Sequence, residues 1–175
     1  MVNSDLILDF VNTVDLRPYE ESLDTPEALG AWLAERGLLA AGAPVSEADL
    51  EQAKRVREAL RDLLAAQNEL EVDIASAGAE LDAAICRAEL ALRFVDCEMR
   101  LEPGVGGVPG AVGRILAEVA NAMADGTWSR MKACRAEDCR WAFLDTAKNR
   151  SRAWCSMRSC GNRAKARTFR ERHLH

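Results

Sequence analysis

Two cysteine pairs near the end of the chain constrain its fold more than any other feature. Four residues separate Cys134 from Cys139 and four separate Cys155 from Cys160, and both pairs lie inside one 27-residue window. A tetrahedral thiolate site takes two ligands from each of two tight turns, with enough chain between them to bring the turns together. The window has that form, and it predicts one zinc ion held by Cys134, Cys139, Cys155 and Cys160. Four protein ligands leave no position for water, so the ion would be structural. Iron in a rubredoxin-like site and a pair of disulfides are the alternatives to zinc. A module of about 45 residues buries too little apolar surface to fold alone, so the metal would supply much of its folding free energy.

Charge divides the chain at nearly the same place. Residues 128–175 carry 13 Lys+Arg against 4 Asp+Glu, a net of +9, while residues 1–127 net −14. A basic segment on an acidic body points to a polyanion partner for the segment. The plainer alternative is that the segment docks on its own acidic body. The only histidines are His173 and His175, so the body can build neither a His-centred triad nor a His-rich metal site. With no nucleophile motif and no open metal position, an enzyme is not expected. No apolar run approaches the ~18–20 residues of a membrane span. The start, Met1-Val-Asn-Ser-Asp5, has no basic region followed by an apolar stretch, so a cleaved signal is not expected either. The location this implies is the cytoplasm, where clustered thiols more often hold metal than form disulfides.

The body reads as mainly helical. Leu6, Ile7, Phe10, Val11 and Val14 recur at helical spacing and predict a first helix over 4–15. Asp24-Thr-Pro26-Glu27 predicts a helix start with Asp24 as cap, Leu29, Trp32 and Leu33 as buried face and Gly37 at the end. Ser46-Glu-Ala-Asp49 opens a longer helix striped by Ala53, Val56, Leu60, Leu63, Leu64 and Leu70. Its other face, with Lys54, Arg55, Arg57, Glu58, Arg61 and Asp62, reads as solvated. Residues 73–88 read as helix. Leu90, Leu92 and Phe94 then alternate with a phase opposite to Val95, Cys97, Met99 and Leu101, which predicts a bulge or hairpin near Phe94-Val95. Cys86 and Cys97 sit in apolar surroundings and read as buried thiols. The Gly/Pro-rich stretch 102–110 reads as a loop, and it lacks the Lys-Ser/Thr ending of a phosphate cradle. Val112, Ile115, Leu116, Val119, Ala120 and Met123 make an amphipathic helix that stops at Asp125-Gly126. Two short strands, over 128–133 and 140–144, should flank the first cysteine pair, and a basic helix should follow the second. The fold class is therefore mainly α (α+β): a helical domain over 1–126 with a short β-hairpin, then a zinc module over 127–175.

Arg152-Ala-Trp-Cys155-Ser-Met-Arg-Ser-Cys160-Gly161-Asn162-Arg163-Ala-Lys165 resembles the CGNR zinc finger, named for residues 160–163. Phe143-Leu-Asp145 fits the same pattern. Leu8-Asp9-Phe10-Val11-Asn12-Thr13-Val14 is similar to the opening of the helical ABATE domain that usually precedes this finger. The resemblance implies a stress-induced transcriptional regulator of bacteria.

On the last helix, Arg163, Arg167 and Arg170 share one face at i, i+4 and i+7. Asn162, Ala166, Phe169 and His173 form the adjacent stripe, with Phe169 expected to pack back on the finger. Lys165 and Arg172 project on the opposite side. The three arginines suit phosphates or guanine edges, and Arg150, Arg152 and Arg158 could add backbone contacts. Asn162 and Arg163 could instead brace the metal loops, and Trp141 and Trp154 read as filling the small core around the metal. In the body, Asp9, Asn12 and Thr13 are candidates for lining an effector pocket or for tying down a neighbouring loop. The leading functional reading is a zinc-dependent DNA-binding protein whose body senses a small molecule or forms a two-fold homodimer reading paired half-sites. An RNA-binding or ribosome-associated protein is the second reading, and a zinc-stabilised protein-interaction module the third.

Overall fold

The computed structural model describes residues 3–173, and of His173 the backbone only. His175 and the side chain of His173 lie outside the described residues. Helix α1 spans Ser4–Val11, capped by the Asn3 side chain, and buries Leu6, Ile7, Phe10 and Val11. It stops four residues sooner than its apolar spacing predicts. The chain turns at Asn12-Thr13 into β1 (Val14–Leu16), which pairs antiparallel with β2 (Tyr19–Glu21). Val14 is buried all the same, because inward-facing strand and helix positions both read as apolar over so short a span.

Helix α2 (Pro26–Glu35) takes Thr25 as its cap rather than Asp24, with Pro26 in the first turn. Gly37 ends it at φ +66°, a backbone that favours a residue without Cβ. Leu29 and Leu33 are buried, and Trp32, partly buried, packs at the edge against Phe10. Helix α3 (Glu47–Ala66) opens with a complete capping box between Ser46 and Asp49. It runs through the middle of the fold, and its buried set reaches beyond the apolar stripe to Arg57 and Arg61, 4% and 1% exposed. The face expected to be solvated is therefore solvated only in part. Helix α4 (Ile74–Arg87) starts at the Asp73 cap and lies along α3, burying Ala77 and Ala84.

Strands β3 (Ala91–Val95) and β4 (Glu98–Glu102) form the expected hairpin, but the turn is at Asp96-Cys97, both at positive φ. Two residues in the turn pair Leu92 with Leu101 and Phe94 with Met99. Even positions on one strand thus share a face with odd positions on the other, which is the source of the phase shift in the sequence. Leu92, Phe94 and Met99 on this hairpin are exposed rather than buried. Cys97 at the turn and Cys86 on the outer side of α4 are exposed too, contrary to the reading that buried both. The Gly/Pro stretch is loop only to Gly106. Helix α5 (Gly107–Ala124) begins inside it, since a proline in the first turn costs no hydrogen bond. Gly113 lets α5 come close to the end of α4: a Cβ there would lie 2.7 Å from the Ala88 Cβ. Ala122 rather than Met123 closes the buried face of α5.

After a 3-10 turn at Trp128–Arg130, β5 (Met131–Ala133) and β6 (Ala142–Leu144) pair antiparallel around the first cysteine turn. A single π-helical turn, Met157–Gly161, leads into α6 (Asn162–His173). Met131, Ala133 and Ala142 belong to the same buried cluster as α1, α3 and α5. The two-stranded sheet of the metal module is thus built onto the helical body. A smaller cluster gathers Cys134, Ala136, Cys139, Phe143 and Cys160, with Trp141 and Trp154 packed against it. No described helix is long and apolar enough to cross a membrane.

Candidate metal centre and nucleic-acid interface

The sulfurs of Cys134, Cys139, Cys155 and Cys160 lie within 4.8 Å of one another, with Cys139···Cys155 at 3.6 Å and Cys155···Cys160 at 3.7 Å. Tetrahedral zinc with thiolates at about 2.3 Å requires sulfur–sulfur edges of about 3.8 Å. The donor set and the spacing both fit one structural zinc. Cys134 Sγ accepts from the backbone N–H groups of Ala136 and Cys155, and Cys139 Sγ from that of Trp141. A hydrogen bond from the Cys139 thiol draws Cys134 down to about 5. The same bond pushes Cys139 up, and burial pushes Cys155 up to about 12. Four thiolates so close together need a cation to hold their charge.

The loop from β6 to the second cysteine pair is organised by Asp145, fully buried. Its carboxylate accepts from Lys132 Nζ at 2.8 Å, from the Arg152 N–H at 3.0 Å and from the Ala147 N–H at 2.9 Å. Burial pushes the Asp145 carboxyl up, but these three donors outweigh it and hold the group below the ordinary carboxylate range. Lys132, itself buried, also donates to the Arg150 carbonyl.

Two body asparagines flank the finger's sheet. The Cys134 N–H donates to the Trp141 carbonyl, so the next pair inward, Ala133 and Ala142, points its backbone groups away from the partner strand. Asn12 takes both groups of Ala142: its Nδ2 donates to the carbonyl at 2.9 Å, and its Oδ1 accepts from the N–H at 2.8 Å. On the opposite edge, Asn68 Nδ2 donates to the Ala133 carbonyl at 2.7 Å. Thr13 accepts from Arg57, which also forms a two-pronged ion pair with Glu21 at 2.7 and 2.8 Å. Arg61 donates to the carbonyls of Val11 and Arg140, and Arg140 pairs with Asp62. Asp9 is nearer the surface, 3.5 Å from Arg36. A cleft of about 650 Å³ in the body lies among Leu6, Leu38, Leu101, Arg114 and Glu118, and Asp9, Asn12 and Thr13 do not line it.

The basic residues divide into two groups. Arg152 lies over the Phe143 ring and donates to the carbonyls of Trp154 and Cys155. Arg163 donates to Cys160 Sγ at 3.2 Å and pairs with Asp138, as does Arg17. Arg135 and Arg140 pair with Glu69 and Asp62 of the body, so for these two the docked-tail alternative describes the contact. Lys148, Arg150, Arg158, Lys165, Arg167, Arg170 and Arg172 are exposed. Arg163, Arg167 and Arg170 line one groove of about 460 Å³ beside Trp154 and Asp138. From Lys165 to Arg172 every side chain of α6 is exposed, Phe169 included at 62%, where the sequence pattern predicts it packed against the finger. Sequence reasoning missed Asn68 and Lys132, whose roles depend on distant backbone groups and leave no periodic trace.

Comparison with known families divides the chain at the same place. Residues 4–126 match the ABATE model, described as "Putative stress-induced transcription regulator", and residues 130–173 match the CGNR zinc finger. No curated protein matches the chain.

Proposed function

The chain belongs to the ABATE family and carries a CGNR zinc finger, and from this premise we propose that it is a DNA-binding transcriptional regulator. In this reading it is a binding protein rather than an enzyme, and it works in the cytoplasm, where its cysteines stay reduced. One observation carries the reading. Helix α6 is anchored at its start by the zinc ligand Cys160, yet its side chains from Lys165 to Arg172 touch water. A helix of 12 residues this polar is marginal unless something packs on it. Between residues 146 and 172 the only acidic residue is Glu171, against nine Lys+Arg. Such a surface suits phosphates, and a helix is narrow enough for the ~12 Å major groove. One short finger binds weakly, so a homodimer on paired half-sites supplies the affinity, with the helical body dimerising or sensing a small molecule.

The test is selection of bound sequences from a random duplex pool, followed by titration of the enriched site at several salt concentrations. Arg167→Ala with Arg170→Ala should weaken binding and lower the slope of log K against log salt by about 1.8, at ~0.9 per phosphate contact. Absence of any enriched sequence, or equal competition by RNA of the same length, refutes the proposal.

A further inference from the structure

Asn68 is 2% exposed and belongs to the helical domain, yet its side chain ends on the metal module. Its Nδ2 donates to the Ala133 carbonyl at 2.7 Å and to the Ala153 carbonyl at 2.8 Å. Ala133 immediately precedes the ligand Cys134, and Ala153 stands two residues before the ligand Cys155. A single amide thus clamps the chain entering the first cysteine turn to the chain entering the second. The clamp is closed on both sides. Arg135 donates its backbone N–H to the same Ala153 carbonyl at 3.0 Å and its Nε to the Asn68 carbonyl at 3.1 Å. Asn68 is fixed in turn by the end of α3, where its N–H donates to Ala65 and the chain reverses through Glu69 at φ +63°.

The two ligand pairs come from separate turns with 15 residues between them, and zinc binding to a free finger would bring them together at an entropic cost. Here a residue of the body ties the two turns together through hydrogen bonds that do not involve the ion. We propose that Asn68 is a positioning residue of the zinc centre, so that metal affinity belongs to both domains. Linkage then runs in both directions: whatever shifts the end of α3 changes zinc affinity, and zinc raises the stability of the body. The inference depends on the metal site and stands whether or not α6 binds DNA.

The experiment measures zinc affinity of the full chain by competition with a chromophoric chelator, together with the visible spectrum of the cobalt-substituted protein. Asn68→Ala should weaken zinc about 10–100-fold, the range for residues that orient metal ligands, and should shift the cobalt bands of the four-thiolate site. Asn68→Ser, whose shorter side chain falls short of both carbonyls, should weaken zinc by about ten-fold or more and covers the case in which Asn68→Ala does not fold. Leu29→Ala is the control: Leu29 is fully buried in α2, and its loss lowers stability without touching the clamp. Zinc affinity within about two-fold of wild type in Asn68→Ala, or in Asn68→Ser where Asn68→Ala does not fold, overturns the proposal, as does an equal loss in Leu29→Ala.

Discussion

Replacing Asn12 by alanine tests whether this residue joins the two domains or serves a ligand. Its side chain supplies to the open edge of β6 the two hydrogen bonds that another strand would make, at 2.9 and 2.8 Å to Ala142, 130 residues away. Ala142 is 2% exposed, so the substitution strands one N–H and one C=O. Each buried group left unpaired costs about 1–3 kcal/mol. Water reaches this edge in part because Asn12 is only half-buried, which places the total near 2–4 kcal/mol. For a chain of this length each kcal/mol is worth about 2–4 °C, so the melting temperature should fall by roughly 4–16 °C. The assay is thermal unfolding at saturating zinc without added ligand, checked by urea titration.

A second substitution at the same position sharpens the test. Asn12→Asp keeps the acceptor for the Ala142 N–H but sets a carboxylate oxygen against the Ala142 carbonyl. That contact disfavours the charged form, so the folded-state pKa of the new carboxyl rises above its unfolded value of ~3.9. A raised carboxyl pKa means the folded state binds the extra proton, and stability increases as pH falls through it. Asn12→Asp should therefore be weaker than Asn12→Ala at pH 7.5 and recover towards wild type by about pH 5.5. A change below about 0.5 kcal/mol for Asn12→Ala, or parallel pH profiles for the two variants, would refute the edge-cap reading. An Asn12 that served only an effector would leave the ligand-free protein's melting unchanged.

Two further predictions concern the interior. Removing the Asp145 carboxylate strands the buried Lys132 ammonium, and Asp145→Ala should cost about 3–5 kcal/mol in urea titration. Because the Asp145 carboxyl is held below the ordinary range, its contribution is complete above the unfolded value of ~3.9 and is lost as pH falls through the lower folded value. The difference in melting temperature between wild type and Asp145→Asn should therefore be constant at neutral pH and narrow only below about pH 4. Two glycines should respond oppositely to alanine. Gly113→Ala meets Ala88 at 2.7 Å and Pro103 at 3.2 Å and should cost about 1–3 kcal/mol. Gly78 in α4 has nothing within 4 Å, so Gly78→Ala should stabilise by about 0.5–1 kcal/mol. Equal melting temperatures for the two variants would contradict the close approach of α4 and α5.

What the sequence reveals depends on whether a residue's partner lies within reach of a local pattern. The four ligands are legible because a metal dictates spacing within each turn, and the caps at Ser46 and Gly37 are legible because each acts within three or four residues. Cys86 shows a local pattern overlooked: Ala77, Leu81, Ala84 and Ala88 form the inward stripe of α4, and a residue two positions after Ala84 must point outward. Arg57 and Arg61 are another kind of case. At i and i+4 they read as a charged face, and nothing near them in sequence announces that Glu21 and the Val11 carbonyl will cover them. Their burial follows from where the end of α1, the Glu21 end of β2 and the turn before β6 meet α3, which is a property of the whole fold. The same holds for Asn12 and Asn68, whose partners are backbone groups with no side-chain signature. These long-range ties join the acidic body to the basic finger. The division that charge, family match and cysteine spacing all draw near residue 127 is therefore a boundary of chemistry, while the core and its hydrogen bonds run across it without a break.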